Sequence, residues 1–255
     1  MEFIQANYLD TTSQLTISSG SLTVSNIFTR DKTSQYVSAE FNDDLTTSSF
    51  TITFDETQSV SRIALYGINY KSFSIFYNGV TANTFALTSA DTSASDWSTN
   101  SETSMYLFCT TANVSSITLD AKTTQVADSE KAIGQFVASD LLLDFVKIPS
   151  AKSYKPLVNS KEMVHKLSNG AIKVNVVART QSTDIKLKYI STAFKNNLRT
   201  VYDSKNEFIF TAFGTSTSWD EVSFPCVWTG SFGFEQYSDN HLAAGFQGSI
   251  KLSEV

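Results

Sequence analysis

Apolar and polar positions alternate with a period of two over many short stretches of this chain, the mark of strands with one buried face. The clearest is Phe50-Thr51-Ile52-Thr53-Phe54, where hydroxyl residues separate the apolar ones. Ser61-Arg62-Ile63-Ala64-Leu65-Tyr66-Gly67 repeats the pattern, with Ile63 and Leu65 on one side and Arg62 on the other. The polar residues 55–59 read as the connection between these two strands. Ahead of both, Asn42-Asp43-Asp44 is an acidic corner of the kind that turns a chain by side-chain to backbone hydrogen bonds. Leu15-Thr16-Ile17 and Leu22-Thr23-Val24 flank Ser18-Ser19-Gly20-Ser21 as a hairpin, and Asn26-Ile27-Phe28 follows. Residues 72–77 alternate again and end at Asn78-Gly79, a strong turn signal. Residues 85–87, 105–109 and 114–119 complete a set of short strands that predicts a sandwich or jelly roll.

Between Asp120 and Lys131 the alternation is lost, which predicts a jelly-roll domain over residues 1–122, a linker over 123–132 and a second domain over 133–255. The second half opens on the apolar runs 133–137 and 141–145. A polar, Lys-bearing segment then extends to His165, where Pro149 and Pro156 oppose a continuous helix. Asn169-Gly170 marks another hairpin, leading into residues 171–177, with 185–190 as a partner strand. One helix is predicted from Ser191-Thr192 onward, because Phe194, Leu198 and Val201 recur at helical spacing and Ser191 or Thr192 can cap it. Residues 208–210, 222–224, 226–228, 232–234 and 245–252 read as further strands. The fold class expected is mainly β: a jelly roll followed by a β-rich α+β domain with one short helix.

The order of features in the first half resembles the discoidin family, the coagulation-factor type C domains. The residues that carry the resemblance are Ala39, Asp43, Asp44, Thr46, Thr47, Phe50, Ile52, Phe54, Val60, Ile63, Leu65, Gly67 and Asn69. It implies an eight-stranded jelly roll of the galactose-binding type, whose end loops bind sugars, lipids or protein surfaces. The Trp of the family pattern is absent here, and Phe50 stands near its place. In the second half, Ile133-Gly134, Leu142-Leu143, Phe145, Phe208, Phe210, Trp228, Gly230, Phe232, Phe234, Ile250, Leu252 and Glu254 fall in an order that resembles minor tail proteins of tailed bacteriophages. That resemblance implies a virion component with other tail proteins and copies of itself as partners, made in a host cytoplasm and carrying no chemistry of its own.

Composition agrees with a β-protein: 19 Phe and 10 Tyr supply core material, and only 3 Pro and 17% charged residues are present. The net charge of −6 is uneven. Residues 1–125 carry 5 Lys and Arg against 12 Asp and Glu, whereas residues 126–255 carry 14 against 13. An acidic first half argues against nucleic acid and against an anionic membrane surface as its partner. The start, Met1-Glu2-Phe3-Ile4, has neither the basic region nor the apolar run of a signal peptide, and no stretch reaches the roughly 20 apolar residues of a membrane-spanning helix.

Candidate chemistry is thin. Cys109 and Cys226 sit in apolar strand-like runs and read as buried free thiols, with a disulfide between the halves as the alternative. His165 and His241 lie in polar contexts that read as loops, without a nucleophile motif or zinc-ligand spacing, so no catalytic residue is assigned. Asp43, Asp44, Asp55, Glu56, Asp91 and Asp96 read as a solvated acidic rim, since nothing in their spacing selects a catalytic pair. Asn42, Asp43 and Asp44 read as a side-chain-stabilised turn; their hard oxygen atoms also offer ligands for a structural calcium, the alternative that the galactose-binding resemblance raises. Tyr36, Asn69, Tyr70, Asp96 and Trp97 offer aromatic faces and polar groups for a host-surface glycan; packing back onto the barrel or a subunit contact is the other reading of Trp97.

Overall fold

The computed structural model describes residues 1–17, 24–28, 35–38, 43–77, 85–87, 96–145, 154–166, 171–212, 223–236 and 245–255. The chain is mainly β with one helix, as the alternation predicts, and forms two compact units. One comprises residues 4–141 and 211–223, the other residues 1–3, 142–210 and 224–255.

The first unit is the jelly roll, built on two long strands, Ser48–Tyr66 and Ser104–Thr124, paired antiparallel. Sequence alternation divides each into two strands; the structure keeps each continuous and breaks its register instead, between Thr53 and Gln58 and between Val60 and Arg62. Residues 55–57 are therefore an exposed irregularity inside one strand rather than a connection. Extra residues on one strand bend it while pairing resumes beyond them. The bend is required by geometry. Ser104 pairs with Tyr66 and Thr124 with Tyr70, so both ends of a strand that would be about 65 Å long if straight reach the same short turn. Gly67 makes that turn at φ +64, a left-handed conformation that costs glycine nothing. Tyr70–Tyr77 pairs with the second half of Ser104–Thr124. Between the folded-over halves, Ile52, Ile63, Leu65, Phe73, Leu107, Ile117, Leu119 and Phe136 form the core.

The predicted linker lies inside this unit. Lys131–Ile133 pairs with Tyr36–Ser38, and Gln135–Ser139 pairs with Arg62 through Tyr66. The unit thus extends to Leu141, and residues 120–131 lose alternation because they form a strand end and an end loop. The strand predicted at 26–28 is replaced by the 3-10 turn Val24–Ile27, while residues 18–23, which carry most of the predicted hairpin's turn and second strand, and the Asn78-Gly79 turn lie outside the described residues.

A second sheet, most of whose residues belong to the second unit, runs in the order Leu141–Asp144, Glu2–Gln5, Phe208–Thr211, Ser223–Thr229, Phe246–Glu254, Ile172–Ile190, Tyr154–Lys166, with Phe234–Gln236 also on Phe246–Glu254. The helix spans Thr192–Ser204 and begins as predicted, with the Ser191 Oγ accepting the Phe194 N–H at 3.1 Å. Leu198 and Val201 are its buried positions, and Phe194 meets Phe145 edge to face at 5.4 Å. Lys205 closes the helix in the left-handed conformation. The described part of the polar segment leading to His165 is the 13-residue strand Tyr154–Lys166.

Candidate functional site

The jelly-roll end beside Gly67 gathers most of the polar residues singled out in the sequence. Asp43 Oδ1 accepts the amides of Leu45 and Thr46 at 2.9 and 2.6 Å, while Asp44 Oδ1 accepts the amide and hydroxyl of Thr124 at 3.0 and 3.1 Å. The Thr46 amide above all holds the Asp43 carboxyl below its ordinary range, and the Thr124 amide does the same for Asp44. Asp43 and Asp44 are thus committed to fixing a turn and a strand end. Lys131 completes the arrangement. It is only 1% exposed, and its Nζ donates to the Asp43 carbonyl at 2.6 Å with Asp43, Asp44 and Asp128 as its charge partners. Desolvation outweighs those carboxylates and lowers the Lys131 pKa. The corner is thus a side-chain-stabilised turn with a protein ammonium beside its carboxylates. Among the described residues no group of three His, Cys, Asp or Glu is placed to hold a metal, and Asn42 lies outside them.

The five residues assigned to a glycan separate into two sets. Tyr36, Asn69 and Tyr70 lie at this same end but work inside the protein. Tyr36 and Tyr70 are each 2% exposed, so neither ring offers a face to a sugar. Asn69 is a clasp: its Nδ2 donates to the Glu130 carbonyl at 2.7 Å and its Oδ1 accepts the Ala132 amide at 2.9 Å. Asp96 and Trp97 instead form a two-residue strand at a sheet edge, opposite Ser74 and Phe73. Trp97 stacks on Phe73 at 4.6 Å with planes 11° apart and keeps part of its surface exposed, next to exposed Asp96. These two remain available to a ligand.

Among the described residues, the groups with reactive chemistry are buried or dispersed. Cys109 and Cys226 are buried free thiols, as expected, and burial pushes the Cys109 thiol up to about 12 and raises Cys226 as well. His165 is exposed on the strand Tyr154–Lys166 rather than in a loop, and His241 and Asp91 lie outside the described residues. Asp55, Glu56 and Asp96 are exposed, as a solvated rim requires.

The feature that sequence reading missed is a two-stranded ribbon. Tyr154–Lys166 and Ile172–Ile190 pair continuously from Tyr154–Ile185 to Lys166–Ile172, with one register shift at Lys161/Glu162. Phe246–Glu254 supports the second strand only from Ser182 onward, where the Glu254 carboxylate accepts the Gln181 amide at 2.5 Å. Beyond that point roughly nine residue pairs, about 30 Å, have no third strand among the described residues. Val158, Met163, Val164, Ile172 and Val174 lie on it at 50% to 68% exposure, and Leu157, opposite Ser182 at its base, is 58% exposed. Adjacent apolar pairs such as Leu157-Val158 and Met163-Val164 place one member on each face, which erases the period-two signal.

No protein family's sequence profile matches this chain, and no curated protein does. Among solved structures, it is similar over 53% of its length to a mutant of chitosan-binding module 1 of the chitosanase/glucanase from Paenibacillus sp. IK-5, at 15% identity and a TM-score of 0.42, covering 99% of that chain. A pectin-binding carbohydrate-binding module is similar over 49% of this chain and 87% of its own, at 18% identity and a TM-score of 0.34. The module CpGH89CBM32-6 of Clostridium perfringens is similar over 52% and 97%, at 12% identity and a TM-score of 0.35. Among the described residues no helix is long and apolar enough to cross a membrane.

Proposed function

We propose that this chain is a non-catalytic structural protein that works by assembly, as a tail or tail-tip component of a tailed-bacteriophage virion, with the jelly roll as a display unit. The ribbon carries the assembly reading. Six large apolar side chains stand half or more exposed on a two-stranded element, and such an element gains little stability alone in water. Those side chains acquire a stabilising role once a neighbour covers them. The virion placement draws its support from the order of residues 133–254 that resembles minor tail proteins. Mass spectrometry and electron microscopy of purified particles test it: the chain should be found in several copies per tail. Its absence from intact particles ends the virion reading.

A second reading, carbohydrate recognition by the jelly roll, is favoured by Asp96 and Trp97 at their sheet edge. Because Trp97 stacks on Phe73, Trp97→Ala would disturb the fold; Trp97→Phe and Asp96→Ala are the cleaner variants. A glycan array that includes chitosan oligomers and pectin fragments should show binding that both variants weaken. No signal at high protein concentration would remove this reading.

A further inference from the structure

We propose that the ribbon of one copy docks on the jelly-roll unit of a second copy, its basic positions against that unit's negative surface and its apolar positions buried between. This rests on the assembly reading and names the first partner in the assembly.

Charge complementarity within the chain selects a second copy. Residues 154–180 carry five Lys and Arg against one Glu. The residues of the jelly-roll unit carry six Lys and Arg against sixteen Asp and Glu. The described surface shows the same opposition. On the ribbon Lys161, Lys166 and Lys173 are exposed beside a single exposed carboxylate, Glu162. On the jelly roll, Asp10, Asp55, Glu56, Asp96, Glu102, Asp128 and Glu130 are exposed, against Lys71 and Lys122. Opposed fields of this kind steer association and set its register, at rates that fall with salt.

The ribbon's two faces match such a seat. Side chains alternate along Tyr154–Lys166, so Leu157, Lys161 and Met163 share one face while Val158, Val164 and Lys166 share the other. Val174 lies opposite Val164 and Ile172 opposite Lys166, which makes the second face the more apolar. Lys173 lies opposite His165 on the first face and adds to its positive charge. Nucleic acid would meet the lysines and leave Val158, Val164, Ile172 and Val174 wet. A partner surface that combines carboxylates with aliphatic and aromatic groups fits either face, since each sets lysine beside aliphatic side chains.

The test is sedimentation velocity on the full chain, together with zero-length carbodiimide cross-linking of a mixture of light and heavy-isotope protein. Self-association is expected, weakening by about tenfold or more between about 50 mM and about 500 mM salt. Mixed-isotope cross-links are expected between Lys161, Lys166 or Lys173 and carboxylates of the jelly-roll unit. The triple variant Lys161→Glu, Lys166→Glu, Lys173→Glu should stay monomeric. Mixing it with a Glu102→Lys, Asp128→Lys, Glu130→Lys partner should restore a heterologous pair. The unmodified protein's cross-links decide the matter even if a variant misfolds. A chain that is monomeric at every concentration overturns the proposal, as does association unaffected by ribbon charge or cross-linked elsewhere. Binding of the unmodified monomer to nucleic acid or anionic vesicles in its place also overturns it. If particles contain the chain but its cross-links avoid the ribbon, this inference fails while the assembly reading stands.

Discussion

The jelly roll and the ribbon are both antiparallel β-structure rich in aliphatic residues, yet they hold those residues in opposite surroundings. Ile52, Ile63, Leu65, Leu107, Ile117 and Leu119 are sealed in the jelly-roll core, whereas Leu157, Val158, Met163, Val164, Ile172 and Val174 face water. Residue type does not separate the two groups, and neither does backbone conformation. What separates them is a second layer: strands that bend back over themselves provide one within the unit, and a ribbon reaching past its sheet does not. Burial in a β-protein is therefore a property of layers, and a strand without an opposing layer can acquire one from another molecule.

The comparison predicts unequal costs for similar substitutions, and the largest lies in the jelly-roll core. Phe136 is fully buried and meets Phe50 edge to face at 5.7 Å. Phe136→Ala should cost about 3–5 kcal/mol in urea unfolding, through lost transfer energy and the cavity left behind. A cost below about 1 kcal/mol would mean that this core collapses around the gap and is less tightly packed than its burial indicates. Next comes the turn that brings the folded strands together. Gly67→Ala forces φ +64 on a side chain and sets a Cβ about 3.2 Å from the Gly134 amide nitrogen, so a loss of roughly 1–2 kcal/mol is expected. Equal stability would show that the turn has relaxed, which a shift of the Gly134 N–H to Tyr66 carbonyl bond (2.8 Å) would report.

How much of this was legible in the sequence follows from the same contrast. Strands buried on one face announced themselves: Phe50 to Phe54 and Ile63 to Leu65 alternate because one side meets the core. The helix was legible because Ser191, Leu198 and Val201 stand at a cap and on one helical face. Strand continuity was not, since the residues that bend Ser48–Tyr66 are polar and look like a connection. The unit boundary was misplaced because Asn69, Asp44 and Thr124 hold the loop near Lys131 through polar contacts that leave no apolar period. Tyr36 and Tyr70 were assigned to the surface because a Tyr in a polar stretch looks the same whether its ring faces a sugar or the core. The ribbon escaped notice because, among the described residues, neither face has a protein layer to select a pattern.

The acidic corner gives a smaller, pH-dependent effect. Asp43 and Asp44 have folded pKa values below the ordinary 3.8, chiefly through amides they accept. The sign follows from linkage: a depressed carboxyl contributes stability that is fully present above its unfolded pKa and is lost as pH falls through the folded one. Acid unfolding of the jelly roll should therefore steepen below pH 3.8, and Asp44→Asn should flatten that limb while lowering stability at neutral pH. An unchanged acid limb would show that Lys131 and the backbone hold the corner without the Asp44 charge.

The smallest expected effect discriminates most sharply between the two regions. Val164→Thr on the ribbon should change the stability of the dilute protein by less than about 0.5 kcal/mol, because an exposed side chain has little burial to lose. Ile117→Thr in the jelly-roll wall, a comparable change on the same kind of backbone, should cost about 2 kcal/mol or more, from lost aliphatic burial and an unsatisfied hydroxyl. Urea titrations of the two variants at one low concentration make the comparison. If Val164→Thr proves as costly as Ile117→Thr, the ribbon is already covered in the dilute protein and the contrast between the regions disappears. If it is neutral when dilute but shifts the concentration dependence of unfolding, its apolar side chains take their stabilising role from association.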